Sequence, residues 1–196
     1  LKTPITKGKL ITDMYDDCER KHILIRVFQR LEYLLSEFSK IELFLEKYGI
    51  NSVDRDGRSF FINCVAEQKN SFAEKLLKLG ADINQQDENG WTALHFAVKN
   101  RDIEMIDLLF KNPVLNKSLQ NNFGKNAFGI ALQNHPKDND FLIKLVRMGI
   151  DPFVKETSGH SSYSKMKLYE AGEITIGLDK INITPVLQEI DKMYKD

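Results

Sequence analysis

Hydrophobic and polar residues along this chain follow a pattern that returns every 33 to 35 residues, starting at Gly57, Gly90, Gly124 and Gly159. A large apolar or aromatic residue follows each glycine four positions later, and a mostly small residue follows seven positions later. Offsets of four and seven lie on one face of an α-helix, so the pattern predicts a helix with a buried face after each glycine. The large set is Phe61, Leu94, Phe128 and Tyr163, and the small set is Cys64, Ala97, Ala131 and Met166.

A second apolar stretch follows in each of the first three units and predicts a second helix. Gly80 and Gly149 come after two of these stretches, and glycine readily adopts the left-handed conformation that ends a helix. Asn112, followed by Pro113, is expected to end the second helix of the second unit in the same conformation. Segments rich in Asn, Asp, Gly and Ser come next and predict turns or short hairpins. The chain is therefore predicted to be an array of helix pairs joined by turns.

The stretch "DENGWTALHFAVKNRDIEMIDLLFKN" resembles the ankyrin repeat, which has a turn, a TPLH motif, two antiparallel helices and a "GADIN" tail. The resemblance is closest over residues 54–112, weaker over 119–152 and weakest over 153–172. Ala93 stands where the family prefers proline, and the third unit reads "KNAF" in place of TPLH. We expect these departures to loosen the helix start without changing the fold.

The resemblance implies an all-α ankyrin-repeat solenoid of about four repeats. Terminal repeats must turn one side to water, so helical caps are expected at both ends. Thr184 is expected to cap the last helix, with Pro185 in its first turn. The predicted division is a flexible N-terminal arm (1–12), a helical N-terminal cap or degenerate repeat (13–53), ankyrin repeats (54–86, 87–120, 121–155 and a degenerate 156–172, together 54–172) and a C-terminal helical cap (173–196).

The composition, 42% hydrophobic and 29% charged, is that of a soluble globular protein. Its 28 Lys and Arg residues balance 28 Asp and Glu residues, which argues against a general nucleic-acid binder. Cys18 and Cys64 match neither a metal-binding spacing nor a disulfide framework, and no apolar run is long enough to span a bilayer. We expect a monomeric, intracellular, cytoplasmic protein without membrane insertion, located in the host cytosol if it is a secreted effector.

The residues that could carry chemistry have structural explanations. Thr92 lies where a helix begins, and its hydroxyl can accept from unpaired backbone N–H groups of the first turn. The resemblance implies that His95 fastens the same turn. Cys64 falls in the small, buried column, and the four histidines have no metal-ligand spacing. We therefore predict no catalytic residue, no metal and no cofactor. The enzymatic alternative is serine or lysine chemistry in "SGHSSYSKMKLYEAGE", at Ser161, Ser162 or Ser164.

In the ankyrin family the partner surface is the concave side, built from turn tips and the exposed part of each first helix. Trp91 and Phe123 stand out there, because large aromatic side chains are typical interface anchors. The alternative is that each side chain folds over its own turn and packs on the neighbouring repeat. Arg55, Arg58, Lys99 and Lys125 give this surface a mildly basic rim. Carried over position by position, the predicted partner-binding residues are Arg55, Asp56, Arg58, Glu88, Asn89, Trp91, Lys99, Asn100, Asn122, Phe123, Lys125, Gln133 and Asn134.

The sequence thus predicts a non-enzymatic module that binds another protein on this concave surface. Two alternatives stay open. The chain is the targeting region of a larger bacterial effector or enzyme whose catalytic domain is elsewhere, or it is an immunity-type antagonist that masks a toxin.

Overall fold

The computed structural model describes Leu45, residues 49–172 and residues 181–194. These residues form eight α-helices and no strand, with two isolated antiparallel bridges, Val53 to Ser59 and Lys155 to Ser161. The predicted arm, Cys18 and most of the predicted N-terminal cap lie outside the described residues. The helices are α1 (Phe60–Ala66), α2 (Asn70–Lys78), α3 (Ala93–Lys99), α4 (Ile103–Phe110), α5 (Ala127–Asn134), α6 (Asn139–Arg147), α7 (Ser162–Glu170) and α8 (Thr184–Tyr194).

The helices pack as successive pairs, with first helices α1, α3, α5 and α7 in one row. Both predicted columns of apolar residues lie in the core between the pairs, and Phe61, Ala97, Phe128, Ala131 and Met166 are fully buried. The predicted all-α solenoid is therefore confirmed. Tyr163 is only half-buried. Its ring lies 4.7 Å from Phe153, and its hydroxyl donates to Asp191 at 2.6 Å.

A polar side chain caps the start of each first helix, where backbone N–H groups have no partner within the helix. Ser59, Thr92 and Ser161 do this with a hydroxyl. Asn126 does it in the third repeat, where its Oδ1 accepts from Gly129 N at 3.1 Å and its Nδ2 donates to the Asp151 carbonyl at 2.7 Å. The looser helix start expected from "KNAF" is therefore not observed.

The predicted helix ends are correct at the two glycines and wrong at Asn112. Gly80 and Gly149 have φ of +92° and +82°, in the left-handed region. Asn112 is not left-handed, and its Oδ1 instead accepts from Val114 N at 3.1 Å. Among the described non-glycine residues, positive φ occurs at Gln68 and Arg101, which follow α1 and α3.

The last helix, α8, packs against α6 and α7 in the place that a second helix takes in the other repeats. Residues 171–183 separate it from α7, whereas only residues 67–69 separate α1 from α2. Thr184 is the first helical residue and not the cap that we expected. Its N–H donates to Asn182 Oδ1 at 3.3 Å. Its hydroxyl donates to Glu170 at 3.0 Å. The division of the chain into arm, repeats and caps stays a prediction.

Candidate functional site: the concave surface

The four turn tips of the concave surface share one local structure. Three residues before each glycine, a backbone N–H donates to the carbonyl of the residue after the glycine, at 2.9 to 3.0 Å. In the second repeat Asp87 makes this bond to Trp91. The Asp87 carboxylate also accepts from the N–H groups of Asn89 and Trp91, at 2.9 and 2.8 Å. Asp54 and Asn121 do the same in their turns, so these tips are internally braced.

Each tip is also hydrogen-bonded to the next one. The Glu88 N–H donates to the Asp56 carbonyl at 3.1 Å, and the Asn122 N–H donates to the Asn89 carbonyl at 2.9 Å. The Thr157 N–H continues the series by donating to the Phe123 carbonyl at 3.1 Å. The exposed side chains of the tips therefore project from a continuous backbone ladder.

Phe123 is the most exposed aromatic residue of this surface, with 60% of its area accessible. Its backbone is fixed, because its N–H donates to Asn121 Oδ1 at 3.0 Å and its carbonyl accepts from both the N–H and the hydroxyl of Thr157. A large apolar side chain held in water on a rigid backbone is typical of a binding anchor.

Trp91 is half-buried against its own repeat. Its ring centroid lies 5.1 Å from that of Phe96 and 5.9 Å from that of His95. The Lys99 ammonium lies 5.6 Å from the indole centroid, within range of a cation–π contact. Trp91 therefore offers one accessible part of its ring and uses the rest in packing.

Two cations of the predicted basic rim are already paired. Arg58 Nε lies 3.1 Å from Asp87 Oδ2, and its guanidinium lies 4.8 Å from the Phe96 ring centroid. Lys125 donates to Gln133 and lies 3.9 Å from Glu156, whose carboxylate also binds Lys165 at 2.6 Å. Since Asp87 and Glu156 are buried, these pairs reduce the positive charge available to a partner.

The other predicted partner-binding residues differ in how far they are available. Asn100 is half-buried and its Nδ2 donates to the Ala66 carbonyl at 2.9 Å, while Asn134 is exposed and donates to the Ile130 carbonyl at 2.8 Å. The partner-binding role of the predicted residues stays a prediction. The exposed members of the remainder are Arg55, Asp56, Glu88, Asn89, Lys99, Asn122 and Gln133.

Two glutamines that the sequence pattern did not single out join neighbouring repeats. Gln86 Nε2 donates to the carbonyls of Gly90 and Gln120 at 2.7 and 2.9 Å. Gln120 Nε2 likewise donates to the carbonyls of Gly124 and Lys155. The signal was present, because both glutamines stand four residues before their glycine.

The neighbouring Asn121 was also missed. It is 5% exposed, and its Nδ2 has no hydrogen-bond partner among the described residues. Asp87 and Glu156, at the same position of the adjacent repeats, bind Arg58 and Lys165. The signal is that an amide stands in a column of carboxylates.

His95 connects the second repeat to the third. It is 1% exposed, and its Nδ1 accepts from the Thr92 N–H at 3.1 Å and lies 2.9 Å from the Thr92 hydroxyl. Its Nε2 lies 3.0 Å from the Lys125 carbonyl, so the proton resides on Nε2. Burial lowers the pKa of His95 to about 4, which keeps the ring neutral at physiological pH. This is the fastening role expected from the sequence.

The other candidates for chemistry also have structural contacts. Cys64 is 3% exposed, and burial raises the pKa of its thiol to about 12. The Ser161 and Ser164 hydroxyls lie 3.3 Å apart and complete the cap of α7, and Lys165 is held by Glu156. Within residues 49–172 and 181–194, no group of His, Cys, Asp and Glu side chains is arranged to hold a metal ion.

The family model that matches this sequence describes ankyrin repeats in three copies, and its two matches cover residues 34–120 and 61–156. Together they span more than half of the 196 residues. The chain belongs to the ankyrin repeat family. Ankyrin repeats serve as protein-interaction modules, and the family is in general not enzymatic. In the part of the chain that the structure describes, no helix is long and apolar enough to cross a membrane.

Three relatives of this chain match it over part of their own length. A BTB/POZ domain-containing protein of Schizosaccharomyces pombe is 40% identical over 106 residues, which are 49% of this chain and 8% of the relative. A putative ankyrin repeat protein of Acanthamoeba polyphaga mimivirus is 36% identical over 73 residues, 37% of this chain and 10% of the relative. The I-Kappa-B like protein of Microplitis demolitor bracovirus is 36% identical over 77 residues, 37% of this chain and 46% of the relative. The chain therefore matches less than half of the length of each.

Proposed function

We propose that this ankyrin domain binds a partner protein on its concave surface, with Phe123 as the main anchor and the accessible part of Trp91 beside it. The observation that carries the proposal is the 60% exposure of Phe123 on a backbone fixed by three hydrogen bonds. A preformed surface lowers the ordering cost of association. The partner is expected to place an apolar side chain against Phe123.

Capture of partners on immobilised protein tests this proposal. Proteins from the source cell are passed over the wild type, over a Trp91→Ala/Phe123→Ala double variant and over a Val114→Ala variant. Val114 is 66% exposed and lies in the hairpin loop after α4, so it controls for the change of an exposed apolar residue outside the turn tips. We expect a protein that the wild type and the Val114 variant retain and that the double variant loses. Equal capture by a folded double variant would contradict the choice of surface.

Two further proposals concern the partner. In the first, the domain targets a larger bacterial effector or enzyme within a cell, including the cytosol of a host. In the second, it is an immunity-type antagonist that covers the active site of a toxin. The relatives named above come from a yeast and from viruses, so they do not favour a bacterial source. The identity of the captured protein separates the two, since an antagonist abolishes the activity of its partner on binding.

A further inference from the structure

The outer side of the stack, formed by the second helices, contains a groove between α2 and α4. Two adjoining cavities of about 320 and 310 Å³ form it, and Glu74, Leu108 and Lys111 line both. The first cavity is also lined by Asn70 and Glu104. We call the two cavities together the outer groove. It lies on the second helices, away from the turn tips of the concave surface.

At the outer groove, between α2 and α4, an ion pair that joins two later second helices has no equivalent. Between α4 and α6, Lys144 Nζ lies 2.8 Å from Asp107, and between α6 and α8, Arg147 Nε lies 2.8 Å from Glu189. Alignment of the buried positions places Glu74 at the position of Asp107 and Leu108 at that of Lys144. Glu74 therefore meets a leucine across the groove and pairs with Lys78 of its own helix at 2.7 Å.

Carboxylate and amide side chains collect where α2 and α4 begin, at and behind one end of the outer groove. Asn70 Nδ2 donates to Asp102 Oδ1 at 3.2 Å and to Glu104 Oε2 at 3.5 Å. The remaining oxygens, Asn70 Oδ1 and Asp102 Oδ2, are buried and have no donor among the described residues. Buried acceptors without a donor are unfavourable. The carboxylates that line the groove itself are Glu74 and Glu104, and a cationic side chain placed there would complement their charge.

The opposite end of the outer groove has the opposite character. There the lining adds Leu77, Lys78 and Pro113. The first cavity thus has two carboxylates, Glu74 and Glu104, against one lysine, and the second has one carboxylate against two lysines. Leu108 lies between the two ends and is half-buried. The groove is therefore acidic at one end, apolar in the middle and basic at the other.

We propose that the outer groove is a second docking surface, which binds a segment of another protein that carries an arginine or lysine, aliphatic residues and an acidic residue in turn. The cation lies against the Glu104 carboxylate, at the end of the groove that Asn70 lines. The aliphatic side chains cover Leu108. The carboxylate lies against Lys78 and Lys111. Because this surface lies away from the turn tips, the domain holds two partners at once.

NMR titration of the isotope-labelled full chain with the blocked peptide acetyl-Arg-Leu-Ala-Leu-Glu-amide tests the proposal. The control peptide has glutamine in place of both charged residues. We expect amide shifts confined to α2 and α4, and a roughly fivefold weaker affinity for the neutral peptide. Shifts elsewhere, no shifts, or equal affinity for the two peptides would overturn the proposal. Shifts at α2 and α4 that grow with protein concentration alone would also overturn it, because the occupant is then a second copy of the chain.

Variants of the groove give the second readout. Leu108→Lys supplies the missing partner of Glu74 and is expected to close the groove, with about tenfold loss of peptide affinity and no loss of thermal stability. Glu104→Lys changes an exposed residue, so the fold is retained, and charge repulsion is expected to weaken binding by a similar factor. Trp91→Ala/Phe123→Ala is expected to leave peptide binding unchanged. Unaltered affinity in both groove variants would contradict the proposed surface, whatever the outcome on the concave surface.

Discussion

The turn around Gly90 and the turn around Gly159 have the same backbone hydrogen bonds but different neighbours. Both glycines are left-handed, with φ of +74° and +81°. A Cβ at Gly90 would lie 2.8 Å from Asn122 Oδ1 and 2.9 Å from the Asn121 Cα, whereas a Cβ at Gly159 would have no atom within 4 Å. Glycine is thus required for two reasons in the second repeat and for one in the fourth.

The side chains six residues before these two glycines also differ in whether they bind the neighbouring repeat. Asn84 Nδ2 donates to the Val114 carbonyl at 2.8 Å, and its Oδ1 accepts from Asn116 N at 2.7 Å, so it joins the loop before Gly90 to the loop before Gly124. Phe153 stands six residues before Gly159, as Asn84 stands six residues before Gly90, and its ring centroid lies 5.3 Å from that of Tyr194. The conformation of a turn and its contacts with the next repeat are therefore separate properties of the sequence.

The largest predicted effect is the loss of stability in Gly90→Ala, which is compared with that in Gly159→Ala. At Gly159 only the left-handed backbone opposes a Cβ, which costs about 1–2 kcal/mol. At Gly90 the clash with the backbone of the next turn adds to this, for a total of about 4 kcal/mol. Urea unfolding of both variants measures the difference. Equal losses of unfolding free energy would show that the close contact of Gly90 with the next turn tip does not add to the cost.

The second prediction uses the different residues that complete the helix caps, His95 in the second repeat and Ser164 in the fourth. The pKa of His95 falls from 6.5 unfolded to about 4 folded, so the native state favours the neutral ring. The neutral ring contributes about 3 kcal/mol to the free energy of unfolding. This contribution is complete above pH 6.5 and is lost as the pH falls toward 4.

Unfolding free energies measured from pH 7 to pH 4 for the wild type and for His95→Gln check this. The wild type is expected to lose about 3 kcal/mol more than the variant over that range. Ser164→Ala is the control, since a serine hydroxyl does not titrate and its pH profile should parallel that of the wild type. Parallel profiles for wild type and His95→Gln would contradict the assignment.

The smallest effect is expected from the glutamine that bridges two repeats. Gln86→Ala removes hydrogen bonds to Gly90 and Gln120 and is expected to cost about 1 kcal/mol in a chemical denaturation experiment. Lys155 has the equivalent position, four residues before Gly159, and is exposed, so Lys155→Ala is expected to change stability by less than about 0.5 kcal/mol. A loss from Lys155→Ala as large as that from Gln86→Ala would remove the distinction.

The spacing of the glycines and the apolar residues after them could predict the repeat and its buried columns, because both follow from helix geometry. The role of α8 could not be predicted in the same way, since residues 171–183 interrupt the period before it. For the candidate site, the tip positions follow from the period. The pairing of Arg58 with Asp87 could not be foreseen, because it joins residues of different repeats through side-chain conformations that local sequence does not specify.

Photo-crosslinking from position 123 tests the proposal that the concave surface contacts a partner through Phe123. p-Benzoylphenylalanine replaces Phe123 in one variant and Val114 in another, both at exposed positions, and each is irradiated with the captured partner. We expect a covalent adduct from position 123 and none from position 114. An adduct from position 114 alone, with both variants folded, would contradict the claim.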